Sequence, residues 1–284
     1  MPKYFISLLF LLCSVFAEAH PILDGLETSY QSKKYSDLSD YIDGLLEQST
    51  KKNIFSFKSI IDREITSGYH EFKIEISQSV ADEEATGVYN VDYYFVSIIR
   101  FKNTIIHYSI EEKVYEQDST GKWKKKYQLV KADIDSIGYH NLENTYFDIY
   151  NSALNFDELF TDSILYGSHC GIGGQNPEYR EKLNLIIRNK DKKELKKWLV
   201  NATAELQLYA IDGILTLSKK GVRFKNDTYE LIGIIIKKEG YVNTCSGCIR
   251  MKRTIKDEVS LLFEKHGLSE KNSIRKAIFN QGPE

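Results

Sequence analysis

Residues 176–221 read NPEYREKLNLIIRNKDKKELKKWLVNATAELQLYAIDGILTLSKKG. Asn176 offers a side-chain acceptor to a following helix turn, and Pro177 suits the first helical position, where no N–H is needed. Tyr179, Leu183, Ile186 and Ile187 then fall on one stripe, which predicts a first helix. Asp191 and Glu194 have the spacing of an acidic capping box, and Leu195, Trp198 and Leu199 follow at helical spacing as the apolar face of a second. A third starts near Thr203, turns Leu206, Ala210, Gly213, Ile214 and Leu217 inward, and stops at Lys219, Lys220 and Gly221. Beyond this stretch, a fourth helix is expected from Asp227 to Gly240. A fifth carries Ile255, Val259, Leu262 and Phe263 and ends at Gly267. Rods this short cannot bury their stripes alone, so residues 176–284 are expected to form an all-α, HEAT-like stack.

Upstream the hydrophobic period changes. Leu26, Tyr30, Leu38, Tyr41, Ile42, Leu45 and Leu46 predict one helix or two short ones. From Tyr69, Phe72, Ile74 and Ile76 alternate with Glu71, Lys73, Glu75 and Ser77, as in a strand with one buried face. Residues 87–101 are aromatic and β-branched almost throughout, which suits a central strand buried on both sides. Lys102 and Asn103 make a hairpin turn. A return strand carries Ile106, Tyr108, Ile110 and Val114, residues 118–121 turn again, and Trp123, Tyr127 and Leu129 continue the pattern. Residues 20–138 are thus expected to form an α+β domain, helix plus antiparallel β-meander, with an element order analogous to cystatin-like or NTF2-like folds that host many functions. Residues 139–175 are expected to be a helical connector and a Gly-rich loop.

At the N-terminus, Lys3 precedes an apolar run that ends in Ala17-Glu18-Ala19, the small-x-small pattern of a signal-peptidase site. Residues 1–19 are read as a cleaved signal, and the protein as periplasmic or secreted. No later segment reaches the roughly 18 apolar residues a spanning helix needs. Cys13 supports an alternative lipid anchor, although Leu12 stands where a lipobox carries a small residue. With 42% apolar and 27% charged residues, the composition is that of a globular chain. A formal net charge of −2 provides no global basic field for nucleic acid. The runs Lys122, Lys124, Lys125, Lys126 and Lys192, Lys193, Lys196, Lys197 read as solvated faces.

Beyond the signal lie Cys170, Cys245 and Cys248. In an oxidising compartment this odd number implies one bridge and a free thiol. Cys170 is expected to join Cys245 or Cys248, with Cys248 set slightly ahead. Two sharper readings stand beside this one. Cys245-Ser-Gly-Cys248 has the spacing of a redox pair, but its preceding segment, Leu231 to Ile236, suits a helix rather than the strand of a βαβ unit. His169 and Cys170 together with Cys245 and Cys248 have the atom types of a zinc site, with only one Cys-x-x-Cys present. Cleavage after Ala19 exposes His20, whose amine and imidazole can chelate copper. None of His70, His107, His140 or His266 is nominated by spacing as the second ligand, so no resident cofactor is expected.

Residues 166–174, YGSHCGIGG, lack both the GxGxxG and the GxxxxGK[ST] spacing, so a phosphate loop is not expected. No G-x-S-x-G or H-E-x-x-H occurs, the carboxylates look scattered over amphipathic faces, and no catalytic residue is nominated. Asn201-Ala-Thr203 and Asn226-Asp-Thr228 match glycosylation acceptors and also helix-capping chemistry. The order His-Cys-Gly-Ile-Gly-Gly, Tyr179, Leu206-Gln-Leu-Tyr-Ala-Ile211 and Ser246-Gly-Cys248 resembles the C-terminal HEAT-like segment of uncharacterised exported proteins from Bacteroidota-type bacteria. The resemblance covers the last two-fifths of the chain; it implies a helical repeat and export, and supplies no activity. The expectation is a non-catalytic binding or envelope-associated protein with a protein partner, the alternative a metal- or thiol-dependent enzyme using Cys245 and Cys248.

Overall fold

A computed structural model describes residues 21–82, 87–171 and 173–268. The expected signal peptide, Cys13, His20 and the C-terminal residues 269–284 lie outside the described residues. Two helices, α1 (Pro21–Tyr30) and α2 (Tyr35–Glu47), precede five strands: β1 (Asn53–Thr66), β2 (Tyr69–Ala81), β3 (Tyr89–Phe101), β4 (Thr104–Gln117) and β5 (Trp123–Ile134). The strands form one antiparallel sheet in the order β1-β2-β3-β4-β5. Tight turns set its register: Ser67-Gly68 and Lys102-Asn103 bring in left-handed residues, and the Asp118 carboxylate accepts from the amides of Thr120 and Lys122. β3 is buried from Tyr94 to Ile99 on both faces, as its continuous apolar run requires. One face of the sheet packs Ile74, Ile76, Val96, Ile98, Tyr108 and Ile110 under Leu26, Leu38 and Ile42 of α1 and α2.

The chain then enters α3 (Ser136–Tyr150), whose start is capped by Asp135, and a 3-10 turn at Phe156–Glu158. The remaining helices are α4 (Glu178–Asn189), α5 (Lys192–Leu199), α6 (Ala204–Lys219), α7 (Asn226–Ile235) and α8 (Ile255–Lys265). Leu183, Trp198, Ile214 and Leu262 are all buried, as their stripes require. At the residue level two helix starts differ from expectation. α4 begins one residue later with Pro177 as its uncapped N-cap, while Asp191 does cap α5 but Glu194 turns to the Trp198 indole.

The all-α, HEAT-like stack expected for residues 176–284 does not form, for two physical reasons. First, α7 stops at Ile235 rather than Gly240, and the chain turns into a hairpin, β7 (Tyr241–Gly247) and β8 (Ile249–Thr254). Val242 and Thr244 point inward while Tyr241 is exposed, the alternation of a half-buried strand. The expected Gly-rich loop is itself partly a strand, β6 (Tyr166–Cys170), which lies parallel to β7 in a second sheet of order β6-β7-β8. Second, a solenoid leaves one side of each helix open, whereas every residue of α6 from Ala204 to Leu215 is buried. α4, α5, α8, β6 and β7 all pack against α6, so it is the axis of a globular unit. Its core runs without a break into Ile65, Tyr69, Ile99 and Ile106 at the near end of the large sheet.

Candidate functional site

The parallel pairing of β6 with β7 sets Gly167 opposite Cys245 and Cys170 opposite Gly247. Cys170 and Cys245, 75 residues apart with Cα atoms 5.5 Å from each other, are joined as a disulfide. The slightly preferred Cys170–Cys248 pairing is therefore replaced. Cys248 lies in the tight turn between β7 and β8, after Gly247 in the left-handed region, and its thiol is free and exposed. Gly247 also accepts a hydrogen bond from the Gly171 amide at 2.7 Å, which closes the β6 end over the hairpin.

Gly167 is the close approach that makes this possible. A Cβ there would stand 2.5 Å from the Cys245 carbonyl oxygen and 2.9 Å from its sulfur. Its backbone is held by side chains from two helices: Arg180 Nε donates to the Gly167 carbonyl at 2.9 Å, and the Gly167 amide donates to the Tyr209 hydroxyl at 3.0 Å. Arg180 is in turn fixed by Asp212, buried in α6, which also accepts from Lys265 at 2.8 Å and from His266 at 2.8 Å. Burial acts to raise the Asp212 pKa, but the His266 hydrogen bond, the Arg180 charge and the Lys265 ammonium outweigh it and hold the carboxyl well below the usual range.

A half-open cleft of about 370 Å³ lies against the bridge. Cys170, Cys245 and Cys248 all line it, together with Ser163, Leu165, Pro177, Glu178, Tyr179 and Arg250. The wall thus mixes apolar surface with Arg250 and with Glu178, which is ion-paired to Lys182. His169 is exposed, and its Nδ1 faces Ser168 Oγ at 3.1 Å. The four candidate zinc ligands do not fit a tetrahedral site, because the bridge consumes the sulfurs of Cys170 and Cys245. Among the described residues no group of three or more His, Cys, Asp or Glu could hold a metal. Cys245 lies in a strand and Cys248 in a turn, so neither has the helix N-terminus that activates a thioredoxin-type thiol.

A second buried network joins the sheet to the helices. Arg63 on β1 pairs with Glu71 on β2 at 2.6 Å and with Glu205 at the start of α6. Glu71 also accepts from the Phe160 amide at 2.6 Å, and Glu205 from the Asn243 amide at 2.8 Å. Burial opposes the Arg63 charge, yet Glu205 and Glu71 raise its pKa and keep it protonated. Close by, Lys238 donates to Gln207 Oε1 at 3.0 Å and lies over the Tyr150 ring; burial pulls its pKa down to about 7.

The expectation that the carboxylates only decorate amphipathic faces is therefore overturned by Glu71, Glu205 and Asp212, all essentially inaccessible. One signal was present: Asp212 interrupts the apolar run from Leu206 to Leu217, where a charge has no solvated face. No protein-family model, curated protein or solved structure matches this chain.

Proposed function

We propose that this chain is a non-catalytic binding protein of an oxidising, extracytoplasmic compartment, and that it receives a segment of a protein partner in the cleft beside Cys170 and Cys245. The observation that carries the reading is the cleft's rigid floor. A disulfide, the Arg180–Asp212 pair and Tyr209 all hold β6 in place, so little ordering cost remains when a partner binds. Tyr179 and Arg250 at its wall offer an aromatic ring and a cation to a peptide. The disulfide favours a location where such bonds persist, in keeping with the expected signal segment. Among the described residues no helix is long and apolar enough to cross a membrane.

A thiol-exchange role is the second reading, favoured by exposed Cys248 on the same wall as the bridge. Its thiolate would attack one sulfur of an incoming disulfide, and the other sulfur would leave as a thiolate, giving a mixed disulfide. The two readings separate in one experiment. A photo-crosslinking phenylalanine derivative at position 179 is irradiated in the source cells, with Arg250→Glu and Cys248→Ser as companions. Binding predicts a discrete adduct that Arg250→Glu weakens about tenfold, a loss of about 1.4 kcal/mol, and that Cys248→Ser leaves intact. An adduct indifferent to Arg250 contradicts it, and catalysis of insulin reduction that depends on Cys248 establishes the thiol reading instead.

A further inference from the structure

At one end the large sheet splits, and the β4–β5 hairpin parts from β1, β2 and β3. Pairing of β3 with β4 ends at Tyr94 and Glu112, whereas β4 and β5 remain paired as far as Gln117 and Trp123. Beyond that point β4 and β5 form a two-stranded ribbon that is no longer paired to β3, although Tyr127 still packs edge-on against Phe95. The side-chain period of two, with Lys113 opposite Tyr127 and Tyr115 opposite Lys125, puts Tyr115, Trp123 and Tyr127 on one face with Lys113 and Lys125. The rings are exposed: Trp123 by 67%, Tyr115 by 55% and Tyr127 by 43%.

Charge is sorted between the two faces. On the other side and at the turn, Lys126 pairs with Glu116 at 3.1 Å and Lys124 with Asp118 at 3.0 Å, so those acidic groups are neutralised. Lys113 instead lies 3.8 Å above the Tyr93 ring and Lys125 5.0 Å above the Tyr127 ring, and neither forms an ion pair among the described residues. The aromatic face thus keeps two ammonium groups outside any ion pair among the described residues.

We infer that this face of the ribbon binds an acidic polysaccharide, with Trp123, Tyr115 and Tyr127 stacking on sugar rings and Lys113 and Lys125 pairing with their carboxylates. Exposed rings on an open sheet face are a stacking platform, and the unpaired lysines select an anionic polymer over a neutral one. A nucleic acid would meet the same two features. The Cys170–Cys245 bridge favours the glycan, because such bonds persist in compartments where long polyanions are chiefly glycans. Lysines along the exposed edge of β5 also oppose strand pairing with a second copy.

The test is affinity electrophoresis of the full chain through gels holding polygalacturonate or, as control, dextran, followed by titration with a short polygalacturonate. Trp198 is buried, so a change in tryptophan emission reports Trp123. Retardation by polygalacturonate alone is expected, weakened by salt. Trp123→Ala, and Lys113→Gln with Lys125→Gln, should each weaken binding about tenfold while the thermal midpoint stays put. Arg250→Glu in the cleft leaves it unchanged, which keeps failure here distinct from failure of the cleft reading. Absence of retardation, retardation indifferent to Trp123, tighter binding of an oligothymidylate, or a dimer that Trp123→Ala dissociates overturns the inference.

Discussion

Arg63 on β1 and Glu205 in the first turn of α6, 142 residues apart, meet as a buried ion pair that ties the large sheet to the helical half. With Glu71 they form a cluster of one cation and two anions shielded from water, whose remaining lone pairs are met by the Phe160 and Asn243 amides. Removing the cation strands two carboxylates. Arg63→Met is expected to cost about 3–5 kcal/mol in chemical denaturation. Replacing all three charges by apolar residues of similar volume should cost much less, because no orphaned charge remains. A loss for Arg63→Met below about 1 kcal/mol would show the cluster to be better solvated than its burial implies.

Two glycines hold backbone crossings that no side chain can enter. At Gly240 (φ 101°) an added Cβ would lie 2.3 Å from the Arg63 Cα, and at Gly167 it would meet Cys245. Gly240→Ala and Gly167→Ala should each destabilise by more than about 1 kcal/mol. Gly221→Ala, strained in φ but with open space around it, separates the two contributions: its loss should be the smaller. Equal losses for all three would remove the role given to close approach.

Part of this architecture was legible in the residues and part was not. The meander and its turns follow from short-range chemistry: Lys102-Asn103 and Asp118–Gly121 turn where expected, and the alternation of β2 starts at Tyr69. The helical stripes are equally local, and Leu183, Trp198, Ile214 and Leu262 are buried. What escaped is non-local. β7 and β8 are 7 and 6 residues long, too short for their alternation to outweigh the helical reading of Leu231 to Ile236 just before them. β6 becomes a strand only because β7, from far along the chain, comes to pair with it. The burial of α6 on all sides was legible, since Leu208, Ile211 and Leu215 lie off the stripe of Leu206, Ala210, Ile214 and Leu217, and a helix apolar all round is enclosed rather than stacked. The cleft follows from β6, so it was hidden for the same reason.

Lys238 gives the fold a pH signature. Its pKa falls from 10.5 to about 7 on folding because burial disfavours the charge. Between those values the unfolded chain binds the proton and the folded chain does not, so stability rises with pH across this window, and the burdened state lies below pH 7. Lys238→Met should therefore gain most, relative to the native chain, below pH 7, and the gain should shrink towards pH 10. Denaturation midpoints of both proteins over that range check it. A difference that stays constant with pH would show that Lys238 is not buried as a cation.

The bridge closes a loop of 75 residues, and loop-closure entropy assigns it about 4–5 kcal/mol. Cys170→Ser should lower stability by a comparable amount, and dithiothreitol should do the same to the native chain but leave Cys170→Ser unchanged. Sensitivity of Cys170→Ser to the reductant would point to a second bridge.

The arrangement of the three cysteines is tested most directly by alkylating the intact, non-reduced protein, digesting it and mapping its thiols by mass spectrometry. A peptide pair joined through Cys170 and Cys245, with Cys248 carrying the alkyl group, is the predicted result. A Cys245–Cys248 or Cys170–Cys248 bridge, or alkylation at all three, would contradict the cleft as described.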